Sequence, residues 1–246
     1  MDNQPEQQAP PVQRLRIRYA KRGRLRFTSH RDFSRAFERA VFRARVPMAY
    51  SSGFNPHPRI SYAGAAPTGA ASEAEYCEIA LAERVDPAAV HAALDEALPD
   101  GLDVVRVVES PGGALADLLE ASHWQLHLDA DPAEASAAVR AFTDQGAVVV
   151  ERMTKKGLRE FDCRAAVVRL AAGPGEPGGQ GVLLDLVLRH GTPSVRPDDV
   201  LTGLARLTGF APAGAPLFTR LAQGPLGDDG SVGDPLASDA DRPGGV

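Results

Sequence analysis

Apolar residues take alternate positions in RLRIRYA, where Leu15, Ile17 and Tyr19 interleave with Arg14, Arg16 and Arg18. GRLRF resumes the alternation, with Leu25 and Phe27 set against Arg24 and Arg26. A period of two marks strand, here with its arginines on one face. The intervening Lys21-Arg22-Gly23 is a tight turn, either of a hairpin or of a bulge in one long strand. The pattern then changes period. Ser29 to Asp32 has the spacing of a capping box, and Phe33, Phe37, Ala40, Val41 and Ala44 form a helical stripe that Pro47 ends. On that helix Arg31, Arg35, Arg39 and Arg43 recur every four residues. Each step drifts only about 40° around the axis, so they form one continuous basic stripe.

Residues 50–61 (YSSGFNPHPRIS), stiffened by Pro56 and Pro58 and bent at Gly53 and Asn55, form a shaped loop leading into a strand. A strand over 75–81, a helix opened by Asp86-Pro87 and running to Leu98, and a strand over 102–108 complete the order β-α-β-β-α-β. After Pro111-Gly112-Gly113 and a short helical turn near residues 115–119, the same order recurs. A strand spans 123–128, and a helix opened by Asp131-Pro132 runs to Thr143. Strand material over 148–154 and 157–170 is joined by a Lys155-Lys156-Gly157 turn. The loop GPGEPGGQG, a strand over 183–188, a helix over 197–207 and a last strand over 216–221 follow. The expected class is α+β, with two tandem ferredoxin-like domains: residues 14–110, basic, and 111–222, acidic. Residues 1–13 and 223–246 lack hydrophobic periodicity and are rich in Pro, Gly, Gln, Asp and Ser, so they are expected to be disordered tails.

Composition narrows the function classes. No stretch approaches the roughly 20 apolar residues of a bilayer-crossing helix, and the N-terminus has neither a basic n-region nor an apolar h-region, so a cytoplasmic protein without membrane contact is expected. Cys77 and Cys163 are too few and too far apart for a disulfide scaffold, a zinc knuckle or a four-thiolate iron-sulfur cluster, and no metal site is expected.

Charge is the most informative feature. The net charge of -5 conceals thirteen Lys or Arg against only Asp32 and Glu38 between residues 14 and 59, a segment at +11. Such separation points to a polyanionic partner, RNA above all, with a merely solvated basic face or an acidic protein partner as the alternative. The expected nucleic-acid surface is Arg14, Arg16, Arg18, Arg24, Arg26, Ser29, Arg31, Arg35, Arg39, Arg43 and Arg59. Its centre would be the helix start at Ser29, where free amides and the helix dipole favour phosphate. His30 and His57 are the only histidines of this half and could serve as general acid and base in metal-independent RNA cleavage. The favoured reading is structural, with His30 filling a capping box and His57 packing a loop.

The stretch from Phe27 to Leu81 resembles a bacterial family of unknown function known as radical-SAM-associated proteins, encoded beside or fused to a cobalamin-binding radical SAM protein. The likeness rests on Ser29, His30 and Asp32, on Pro47, Tyr50 and Ser51, on the loop Gly53, Phe54, Asn55, Pro56, His57 and Pro58, and on Gly69, Ser72, Glu73, Glu75 and Tyr76. The family pattern has Leu where this chain has Arg31. The resemblance implies a partner enzyme that carries the iron-sulfur cluster, S-adenosylmethionine and cobalamin, with no cofactor bound by this chain. It makes the chain an accessory subunit that binds or presents RNA, in tRNA or rRNA modification, rather than a catalyst. A protein-protein adaptor without RNA binding is the alternative. The inferred architecture is also similar to that of the endoribonucleases that process CRISPR transcripts.

Overall fold

The computed structural model describes residues 7–154, 157–175 and 181–237. The Lys155-Lys156 turn, most of the Gly/Pro-rich loop and the ends of both expected tails lie outside these residues. The chain divides into two compact units. The first comprises residues up to Leu118 together with the stretch from Pro235, and the second runs from Leu119 to Asp234.

In the first unit the elements are β1 (Gln13–Lys21), α1 (His30–Arg43), β2 (Ile60–Ala63), β3 (Ala71–Leu81), α2 (Pro87–Ala97) and β4 (Leu102–Glu109). The strands pair antiparallel in the order β4-β1-β3-β2. Alternation along β1 and β3 turns Leu15, Ile17, Tyr19, Cys77, Ile79 and Leu81 toward one face. Phe33, Phe37, Ala40 and Val41 of α1 and Val90, Leu94 and Ala97 of α2 complete the same cluster. Ring contacts tie the layers together: Tyr19 stacks on Phe33 with centroids 4.2 Å apart, and Tyr62 of β2 meets Phe33 and Phe37 edge-on.

The second unit contains β5 (Ala121–Asp129), α3 (Pro132–Thr143), β6 (Val149–Thr154), β7 (Gly157–Asp162), β8 (Val167–Pro174), β9 (Val182–Arg189), α4 (Pro197–Thr208) and β10 (Ala213–Gly224). Its strands run antiparallel in the order β10-β5-β9-β8, and β6 with β7 forms a separate two-stranded ribbon. The ribbon is held to α4: Arg152 Nη1 donates to Asp199 Oδ2 at 2.6 Å, and Arg206 donates to Val149 O and Glu151 Oε1. α3 meets α4 at Gly203, where even a methyl group would lie 2.9 Å from the Phe142 ring.

Both units are therefore mixed α/β arrangements of helices on an antiparallel sheet. Helix starts fall where Asp-Pro placed them, with Asp86 accepting from the Ala88 amide and Asp131 from those of Ala133 and Glu134.

Four expectations are corrected. GRLRF is not strand. Gly23 takes φ +53°, and residues Gly23–Phe27 form a 3-10 helix in which Leu25 N donates to Arg22 O and Thr28 N to Leu25 O. Strand material over 157–170 is interrupted because Asp162 Oδ1 accepts from both Val148 N and Arg164 N, which turns the chain into a 3-10 helix at Arg164–Ala166. Residues 111–118, expected to open the second domain, fall in the first unit, where Arg16 Nη2 donates to Gly112 O and Gly113 O. The expected tails are partly ordered. Gln13 lies within β1 and Val12 N donates to Leu81 O. After β10, a bridge between Leu226 and Val232 and a bond from Gly227 N to Ser231 O close a turn that local polar groups satisfy without hydrophobic periodicity.

Candidate nucleic-acid interface

The thirteen basic residues of the N-terminal segment separate into two groups once their partners are traced. The β1 arginines are largely consumed by structure. Arg16 is only 1% exposed, and its Nε donates to Glu78 Oε2 at 3.2 Å while Nη2 holds the Gly112 and Gly113 carbonyls. Arg14 Nη1 donates to Glu78 Oε1 at 3.1 Å, and Arg18 Nε to Glu73 O at 2.8 Å. Arg22 is clamped between Glu73 and Asp103, both of which raise its pKa further above the ordinary arginine range. Strand parity correctly put these arginines on the face opposite Tyr19, but it carried no information about what covers that face. The chain between Ser110 and Gly113 does so, and Ser110 Oγ donates to Glu78 Oε2 at 2.8 Å. Arg16 is thus corrected from a surface residue to a buried ion-pair member.

Other expected contacts are also absorbed. Arg59 Nε donates to Tyr50 O and Arg43 Nη1 to Ala97 O, although Arg43 stays exposed. Arg24 is exposed on the 3-10 helix, while Arg26 is half-buried with its guanidinium 4.7 Å from the exposed Phe27 ring. The start of α1 is not an open phosphate cradle. Ser29 Oγ accepts from Asp32 N at 3.2 Å and donates to Asp32 Oδ2 at 2.7 Å, so a carboxylate already occupies the dipole's positive end. The capping box is correspondingly half of the expected one, since Asp32 engages the hydroxyl.

What remains is the outer face of α1. Arg31, Arg35 and Arg39 are exposed, and none of the three guanidinium groups has a hydrogen bond or ion pair among the described residues. The amphipathic pattern sets this face: Phe33, Phe37, Ala40 and Val41 bury one side, which leaves the arginines on the other. Arg35, Glu38, Arg39, Phe42 and Arg43 line an open groove of about 640 Å³. A second depression of about 450 Å³ lies beside it, lined by Glu38, Val41, Phe42, Arg45, Val46, Met48, Tyr50 and Pro58. Phe42 is 84% exposed and stands at both. Sequence reasoning did not single it out as a site residue, although its signal was present: Phe42 falls outside the helix's apolar stripe.

The motif loop is a hairpin closed at its neck, where Ser51 N donates to His57 O and His57 N to Ser51 Oγ. Its tip presents Phe54, Asn55, Pro56 and His57 to solvent, with Gly53 at φ +135°. Glu73 lies on Arg22, Glu75 is buried and accepts from the Ala66 amide, and Tyr76 is buried in β3. Much of this motif is thus devoted to holding the sheet. His30 packs edge-on against Tyr62 with centroids 5.0 Å apart, and among the described residues no hydrogen bond or ring contact joins it to His57.

Among the described residues no group of three or more His, Cys, Asp or Glu side chains could hold a metal ion, and no helix is long and apolar enough to cross a membrane. Cys77 and Cys163 are buried and belong to different units. Two such thiols do not fit the ligand set of a four-thiolate cluster.

These features define a two-unit α/β protein with one solvent-facing basic helix. The chain belongs to a family described as an uncharacterized protein conserved in bacteria (DUF2344), whose model matches residues 14–197. No curated protein matches the sequence. Among solved structures, it is similar to a chain of a crystallised Cbf5-Nop10-Gar1 complex, with 12% identity and a TM-score of 0.49. That alignment covers 93% of this chain and 58% of the other, so this chain spans well under two thirds of that relative's length. An encapsulated DyP-type peroxidase from Mycobacterium smegmatis is similar at 14% identity and a TM-score of 0.21, with 89% of this chain and 94% of that one covered.

Proposed function

We propose that this chain is an RNA-binding, substrate-presenting subunit of a separate radical SAM enzyme that modifies tRNA or rRNA. The observation that carries the reading is the set of exposed guanidinium groups of Arg31, Arg35 and Arg39 on α1, which have no partner among the described residues. Like charges on one helix face repel and add nothing to the fold, so their clustering is accounted for by an anion that lies across them. Neighbouring arginines are neutralised by Glu73, Glu78 and Asp103, whereas Glu38, which shares the groove with Arg35 and Arg39, forms no ion pair with them among the described residues. The β-α-β-β-α-β order with strands arranged β4-β1-β3-β2 supports a ferredoxin-like scaffold for the first unit. β10-β5-β9-β8, with the β6-β7 ribbon inserted, supports the same scaffold for the second.

The radical SAM partner is supported by the resemblance of residues 27–81 to proteins encoded beside such enzymes. That partner would bring the iron-sulfur cluster, S-adenosylmethionine and cobalamin, since the thiols of this chain are too few. The test is reconstitution: the purified chain is mixed with tRNA and rRNA fragments, with and without a cobalamin-binding radical SAM protein, and the RNA is followed for binding, strand scission and nucleoside modification. RNA binding without scission, together with modification that requires this chain, is the expected result. Scission by the chain alone would replace this reading with a ribonuclease, and partner binding without RNA affinity would replace it with an adaptor.

A further inference from the structure

Large exposed aromatic side chains are unevenly distributed. Among the described residues, Phe27, Phe42, Tyr50 and Phe54 are all in the first unit, whereas the exposed apolar residues of the second are Val, Met and Leu. Phe42 is the most exposed of all at 84%. Burial does not retain it, since a side chain left in water contributes almost nothing to the hydrophobic stabilisation of the fold. It projects where the basic groove of Arg35, Arg39 and Arg43 adjoins the depression holding Tyr50 and Pro58. The arginines step by about 6 Å along the helix axis, comparable to the phosphate spacing of an extended single strand. An aromatic face between guanidinium groups is the combination that holds unpaired nucleotides, with phosphates on the cations and a base on the ring. A duplex cannot use it, because its bases are already stacked and the deep groove of A-form RNA excludes side chains.

We propose that Phe42 is a base-stacking platform and that the outer face of α1 takes single-stranded RNA, with Arg35 and Arg39 holding the phosphates beside the stacked base. This rests on the RNA-binding reading above and narrows its ligand to a loop, bulge or end. Among the described residues Glu38 is the one acid that lines these two depressions. It would repel a phosphate placed over it but can accept from the amino edge of the stacked base.

The test uses the full chain as wild type, Phe42→Ala, Phe42→Trp and Arg35→Glu/Arg39→Glu, with oligoadenylate and with the same strand annealed to oligouridylate. The only native tryptophan, Trp124, is 4% exposed, so Phe42→Trp adds a reporter that a stacked base quenches. We expect single-strand binding to exceed duplex binding, quenching of Phe42→Trp by the single strand, and affinity about 5- to 150-fold weaker in Phe42→Ala. Salt dependence and thermal unfolding of Phe42→Ala should match wild type, because the ring is uncharged and exposed. Equal binding by wild type and Phe42→Ala, or duplex binding as tight as single-strand binding, would overturn the stacking role while a defect in Arg35→Glu/Arg39→Glu kept the RNA reading. No RNA affinity in any variant would overturn both, and Phe42 would then belong to a protein contact.

Discussion

Glu78→Gln isolates the structural half of the basic segment. Glu78 is 8% exposed and accepts from Arg14, Arg16 and Ser110, so neutralising it leaves three donors facing one amide oxygen and an N-H group. Arg14, about half exposed, turns to water at small cost. Arg16 cannot, since its side chain is 2% exposed. Removing one member of a buried pair costs about 3–5 kcal/mol. The Gly112 and Gly113 carbonyls still hold Nη2, which places the loss near the lower end, about 3 kcal/mol, or roughly 150-fold in the opening equilibrium. With two units the chain need not unfold in one step, so the assay is native-state amide exchange followed on peptides from β1 and β3. Arg16→Met/Glu78→Met, which removes both charges, should recover most of the loss. A Glu78→Gln penalty below about 1 kcal/mol, or a loss of RNA affinity without loss of protection, would refute the division into structural and ligand-facing arginines.

Gly203→Ala should destabilise the second unit by up to about 2 kcal/mol: crowding against Phe142, Val148 and Cys163 costs about 1–3 kcal/mol and improved helix propensity returns about 1, as urea unfolding can measure. Burial pushes the His190 pKa down, against the bond to Leu119 O and helped by Arg220. Its stabilising contribution is therefore complete above the unfolded value of about 6.5 and is lost as pH falls through the lower folded value, so the second unit should weaken on acidification less in His190→Gln than in wild type. Burial also pushes Cys163 up to about 12 and raises Cys77, so neither thiol should react with a disulfide reagent until the chain unfolds.

The helices were legible because their signals are local: Asp86-Pro87 and Asp131-Pro132 fix starts through their own amides, and the Phe33-Phe37-Ala40-Val41 stripe fixes a buried face. The 3-10 helix at Gly23–Phe27 was not, because Leu25 and Phe27 two positions apart satisfy a strand pattern as well as a tight turn. The fate of the arginines was legible only for α1. Whether Arg16 meets solvent depends on Glu78, distant in sequence, and on the chain crossing at Gly112, neither of which a period-two pattern encodes. Charge counting found the basic segment, and only the three-dimensional pairing separates its structural cations from its available ones.

The central claim is that α1 binds polyanionic RNA through charges that the fold does not need. It is tested most directly by tRNA affinity across a salt series for wild type, Arg35→Glu/Arg39→Glu and Arg14→Glu. Log affinity should fall with log salt at about -0.7 per single-strand phosphate contact, and the α1 double variant should lose affinity and flatten that slope. Arg14→Glu, whose partner is Glu78, should leave the slope unchanged. Equal slopes for wild type and the double variant, or no affinity for tRNA at low salt, would contradict it.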